Sequence, residues 1–164
     1  MGPIAHLEQI VRPNMNDLHT NFGDIRYAFN AVAAVDALAA HIFIWCRSNA
    51  LSEVAEAKND SDYRDQLAKI NADFSLVRDI AKAQKHVHLS RGSPQVSKAN
   101  QVQSRQLGWG QAKWGEMRWG SPPQIVVETD TGEVRVVESI LKGAIMFLED
   151  KMYKLGAHQH PEDS

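Results

Sequence analysis

One cysteine, six prolines and no long unbroken apolar run are what this chain of 164 residues has to offer in those categories. A lone thiol, Cys46, cannot close an internal disulfide, so a reducing compartment is its natural setting. Its neighbours Ile42, Phe43, Ile44 and Trp45 are apolar, and none carries the charge that activates a thiol, so it reads as buried and inert. The most apolar window, Ala37–Cys46, contains His41 and lies between Asp36 and Arg47. That falls short of the ~20 apolar residues a membrane span needs. The opening residues MGPIAHLEQI lack a basic stretch followed by an apolar run, so no secretory signal is expected. These features predict a cytoplasmic protein with no membrane partner. There is also no glycine loop followed by Lys-Ser/Thr for phosphate, and no nucleophile elbow.

The length suits one domain, and the apolar content of 43% is enough for a full core. Apolar residues at Met15, Leu18, Phe22, Ile25, Phe29 and Val32 alternate steps of three and four, the seam of a helix packed on other helices. The register continues through Asp36, Ala39 and Phe43, and Pro13-Asn14 followed by Asn16-Asp17 looks like its start. This predicts a helix over about 14–48, with Gly23 as the point where it can break. Seven alanines between Ala28 and Ala40 let neighbouring helices come close. A second helix over 61–89 is expected from the caps in Asp60-Ser61-Asp62 and the apolar face of Leu67, Ile70, Phe74, Val77, Ile80 and Val87. A third, over 138–155, presents Ile140, Leu141, Ala144, Leu148 and Met152 on one face.

Between the second and third helices lies a flexible basic loop, 90–108, rich in Ser, Gln and Asn, and then a Trp-Gly arm and β-hairpin, 109–137. The hairpin strands are Gln124–Thr129 and Glu133–Val137, joined through Asp130-Thr131-Gly132. The expected fold is therefore mainly α: a single-domain antiparallel helical bundle with a short β-hairpin insertion before the last helix.

Charge is distributed unevenly. From Lys82 to Arg118 there are seven Lys/Arg and one acid, a net of +6, which leaves eleven bases and nineteen acids, or −8, elsewhere. The segment ends in WGQAK-WGEMR-WGSPP, where Trp109, Trp114 and Trp119 are each followed by glycine. Aromatic side chains interleaved with bases suit a partner with π-faces and phosphates. On this reading Lys82, Lys85, Lys113 and Arg118 approach the phosphates while the tryptophans stack on bases. The plainer reading is an arm whose tryptophans pack over the bundle or across a dimer interface.

On the second helix, Arg78, Lys82 and Lys85 share a side, with Asp79 and His86 at its margin. Asp79 and His86 are seven apart, so they are placed to pair, whereas His88 falls back among Ile70, Val77 and Ala81. His88 is accordingly expected to be buried and His86 exposed. The plainer reading of the whole face is a solvated charged surface. Arg78-Asp79-Ile80 with a histidine further along the same helix, inside a small helical bundle, resembles the HEPN superfamily of bacterial nucleases and nucleotide-binding domains. The resemblance covers Asp60–Leu89 directly. It implies a dimer in which paired Arg and His cleave RNA without metal, with Arg78, Asp79 and His86 as the catalytic residues. It also fits a non-catalytic relative. Seven residues separate Arg78 from His86, a wider gap than the family's.

No metal or other cofactor is expected. His86-Val87-His88 points two imidazoles to opposite sides of a helix, and His158-Gln159-His160 lacks a third ligand. Two functions follow: a protein associated with RNA or another nucleic acid, with possible cleavage, or a non-catalytic homodimeric assembly module. A homodimer is expected on either, because a long alanine-rich seam and an aromatic arm offer more apolar surface than one subunit covers.

Overall fold

The computed structural model describes residues 1–86, 89, 93–108, 115 and 122–157. An N-terminal helix runs without interruption through α1 (Pro3–His6), a π-helical stretch (Leu7–Val11) and α2 (Arg12–Thr20). It is followed by α3 (Ile25–Ser48), α4 (Asp60–Ile70), α5 (Ala72–His86), strands β1 (Val102–Arg105), β2 (Gln124–Glu128) and β3 (Val134–Val136), and α6 (Val137–Lys154). The fold is mainly α, with a small antiparallel sheet ahead of the last helix.

Helix α3 is the axis, packed by α2, α4, α5 and α6. Ala28, Ala31, Val32, Val35, Leu38, Ala39 and Ile42 are all buried along it. The small side chains among them let the neighbouring helices approach. By length and composition α3 could cross a membrane, a stretch longer than the ten-residue window Ala37–Cys46 suggests. In this fold 56% of its most apolar window is buried inside the protein.

Three boundaries differ from the periodicity of the sequence. The seam from Met15 to Phe43 is shared by two helices, because the chain turns at Asn21–Asp24 and Asp24 caps α3 by accepting from the Arg26 amide at 2.9 Å. Gly23 lies in that turn, where a Cβ would sit 2.8 Å from the carbonyl oxygen of Pro123, so only glycine admits the sheet here. The expected helix over 61–89 is likewise two. Asn71 adopts an extended conformation and its side chain accepts from the Phe74 amide at 2.8 Å, ending α4 and starting α5. Pro13, read as a helix start, lies inside a helix that begins ten residues earlier. Proline removes a donor and crowds the preceding turn, and the π-helical stretch just before it absorbs both.

The sheet has three strands rather than two, in the order β1-β2-β3. The extra strand, β1, comes from the polar segment that reads as a loop. Val102 pairs with Val127 and Arg105 with Gln124, while β2 and β3 form the expected hairpin, with Val126 opposite Val136. Buried Val102, Ile125 and Val127, with Val137 at the start of α6, join this sheet to the helical core.

Helices α5 and α6 meet where Gly143 faces Asp73, which in turn pairs with Arg135 of β3 at 3.0 Å. A Cβ at position 143 would overlap the Asp73 carboxylate and lie 2.9 Å from its Cγ. In an exposed helix, Gly→Ala gains ~1 kcal/mol. Here Gly143→Ala is expected instead to cost about 1–3 kcal/mol in urea denaturation, because the Asp73 carboxylate must turn out of its pair with Arg135 or the helices must shift apart. Tyr63 is buried, and its hydroxyl has no hydrogen-bond partner among the described residues. Tyr63→Phe, which removes an unsatisfied group without changing shape, is expected to be neutral or to stabilise by up to ~1 kcal/mol in the same assay.

Candidate functional site

A carboxylate on the buried side of an apolar helix must find cations. Asp36 finds two. Arg64 of α4 donates from Nη1 to Asp36 Oδ2 at 2.5 Å, and Arg78 of α5 donates from Nη1 to both Asp36 oxygens at 3.3 Å. Arg64 also binds Asp60 at 2.5 Å. Arg78 binds Asp65 through Nε at 3.0 Å and the Ser61 hydroxyl through Nη2 at 2.8 Å, and Lys82 completes the group by donating to Asp65 at 2.7 Å. Three cations and three carboxylates thus balance across α3, α4 and α5. The Arg78 side chain is only 7% exposed. Burial alone would raise the Asp65 pKa, but the bonds from Lys82 and Arg78 outweigh it and hold the group below the usual carboxylate range.

Asp79 lies near enough for the charges of Lys82 and Asp65 to act on it, but its hydrogen bond goes elsewhere. Its carboxylate accepts from the Gln95 amide at 2.7 Å, while the Gln95 side chain donates to the Ser75 hydroxyl at 3.2 Å. Burial pushes its pKa up despite the backbone amides of Gln95 and Val96, which act the other way. Asp79 therefore fastens the segment after α5 onto α5 and has no bond to His86. His86 is exposed in the last turn of α5, as is Lys85. Eight residues along a helix is ~12 Å of rise, so Arg78, Asp79 and His86 form no converging constellation. His88, the other half of the burial expectation, lies outside the described residues.

The basic segment is partly neutralised from outside itself. Lys82 is bound to Asp65, and Arg105 donates to Glu128 across the sheet at 2.6 Å. Lys98 is exposed beside an open polar hollow of about 390 Å³, with Gln101, Glu128 and Asp130 on its walls. Bonds from Gln101 and Ser97 hold the Asp130 carboxyl below its usual range. Trp109, Trp114, Trp119, Lys113 and Arg118 lie outside the described residues.

The two ends of the Trp-Gly segment are well defined. Arg105 stands opposite Gln124, so residues 106–123 are the connection of the β1–β2 hairpin and not an arm preceding a separate hairpin. Around this mouth, the Ile125 amide donates to Phe22 at 3.2 Å, the Ser104 hydroxyl donates to Gly23 at 3.0 Å, and Pro123 rests against Gly23. Sequence reasoning missed this because β1 offers one sizeable hydrophobe, Val102, in four residues.

Among the described residues no group of three or more His, Cys, Asp or Glu could hold a metal. Burial pushes the Cys46 thiol up to about 11, so a thiolate nucleophile is disfavoured there. No protein-family model matches this chain, and neither a curated protein nor a solved structure is similar to it.

The geometry separates the three residues singled out on α5 by their effect on stability. Arg78→Ala leaves Asp36 with one partner in a buried site and is expected to cost about 3–5 kcal/mol in chemical denaturation. His86→Ala, at an exposed position, should stay within about 0.5 kcal/mol of the parent. Equal effects of the two substitutions would contradict the assignment of Arg78 to the helix-joining group.

Proposed function

We propose that this protein is a non-catalytic interaction module that pairs with a second copy of itself through the 106–123 loop. The observation that carries this reading is the register of β1 and β2, which holds Arg105 opposite Gln124 and fixes both ends of the loop on the sheet. An element tethered at both ends has less freedom to lose on docking than a free tail. The loop contains Trp109, Trp114, Met117, Arg118 and Trp119, residue types enriched at the centres of protein interfaces. Its own charge is small, +1 from Lys113, Arg118 and Glu116. Arg78 and Asp79 are engaged in holding helices and the following segment together, which weighs against assigning them to catalysis.

A second reading, binding or metal-independent cleavage of RNA in the manner of HEPN-like proteins, is favoured by the exposure of Lys85, His86 and Lys98 within the +6 segment. The two readings separate in one pair of measurements. On the first, light scattering at micromolar concentration gives a dimer, and changing Trp109, Trp114 and Trp119 together to Ala gives a folded monomer. A dimer of this kind buries more than about 1,200 Å². On the second, single-stranded RNA or DNA binds with an affinity that falls steeply with salt, and Lys113→Ala with Arg118→Ala weakens every sequence alike. A monomeric parent protein would rule out the first reading. Absence of binding to RNA or DNA at low salt would rule out the second.

A further inference from the structure

Two histidines far apart in sequence meet face to face beneath the N-terminus. His6 of α1 is 6% exposed, and its ring stacks on that of His41 of α3, with centroids 4.2 Å apart and planes inclined by 25°. His6 Nε2 lies 3.0 Å from the carbonyl oxygen of Ala34, and His41 Nδ1 lies 3.1 Å from that of Met1. A carbonyl only accepts, so each of these nitrogens carries its ring's proton. Both bonds are complete with neutral imidazoles. We propose that the His6–His41 stack is an acid-sensitive latch that holds α1 and the π-helical stretch against α3.

Protonation of His6 adds a donor and a charge at a buried position, against the face of a second imidazole. Among the described residues, the elements packed most closely against α1 are the π-helical stretch and α3. Their titratable groups, with the N-terminal amine, are Glu8, Arg26, Tyr27, Asp36, His41, Cys46 and Arg47. Glu8 is bound to Arg12, Arg26 to Asp24, and Asp36 to Arg64 and Arg78. The charge that acts on His6 is that of His41. Burial first, and then His41, lower the His6 pKa below its ordinary 6.5, although the bond to Ala34 opposes them. A histidine whose folded pKa is depressed favours the folded state fully above 6.5, and that contribution is lost as the pH falls below it.

The same segment has a joint at which to part. The π-helical stretch lies between α1 and α2, and α2 has its own anchors in buried Leu18 and in the bond between His19 and Glu138 at 2.9 Å. Opening needs Pro3, His6, Leu7 and Val11 to leave their buried positions and Ile4 to leave the core it packs against.

Amide hydrogen exchange on the full chain at about pH 7.5 and about pH 5, corrected for intrinsic rates, tests the latch. Protection of residues 4–11 should fall by about tenfold or more relative to α6 at the lower pH, and His6→Gln, which keeps a donor for Ala34, should remove that loss. If His6→Gln already exposes the segment at neutral pH, His41→Gln decides. It leaves the Ala34 bond intact and should move the NMR titration of His6 upward from a midpoint below 6.5. Unchanged relative protection in the parent protein, a loss that persists in His6→Gln, or a His6 titration at or above 6.5 each overturns the proposal.

Discussion

Asp36 occupies the buried side of α3, in a run whose other inward residues are alanine, valine and leucine. An ionised carboxylate left alone in such a place costs several kcal/mol, and α4 and α5 exist in their observed positions only if each delivers an arginine to it. The group formed with Asp60, Asp65, Ser61 and Lys82 then sets the order and rotation of three helices at once. Apolar packing tolerates some sliding of helices, whereas guanidinium–carboxylate bonds are directional and do not. The close approach of Gly143 to Asp73 acts in the same way between α5 and α6, and through Arg135 it ties the sheet to both.

That commitment bears on chemistry. An arginine that stabilises a developing charge must be able to reach it, and Arg78 already spends its donors on Asp36, Asp65 and Ser61. The Asp79 carboxylate is similarly occupied, accepting from the Gln95 amide of the segment that follows α5. The face of α5 that reads as a candidate active site from residue types is, in the folded chain, mostly a joint between helices. Lys85 and His86 alone among those residues remain at the surface.

The sheet gives the Trp-Gly segment its place. Without β1, residues 90–123 would be one long polar connection. With it, the chain is pinned at Val102–Arg105 and again at Gln124. The turn between α2 and α3 meets this mouth through Phe22 and Gly23, which contact Ser104, Pro123 and Ile125.

The helical class, the core faces of α3 and α6 and the β2–β3 hairpin were legible in the sequence, because each rests on local periodicity or turn chemistry. The apolar face of α6 emerged as read, with Ile140, Leu141, Ala144, Leu148 and Met152 buried. Periodicity continued across Asn21–Asp24 and across Asn71, where Leu18 and Val32, and Leu67 and Phe74, are buried on either side, and it could register neither the breaks nor the exposure of Ile70 on the expected face. β1 carries little periodicity of its own and is a strand because β2 supplies its hydrogen bonds. For the candidate site, sequence determined which residues had the right chemistry. Tertiary structure decided which were spoken for, through Asp36 at 28 residues from Arg64 and 42 from Arg78. Local pattern encodes which side of a helix is apolar; which charge meets which is settled only when distant helices pack and water leaves.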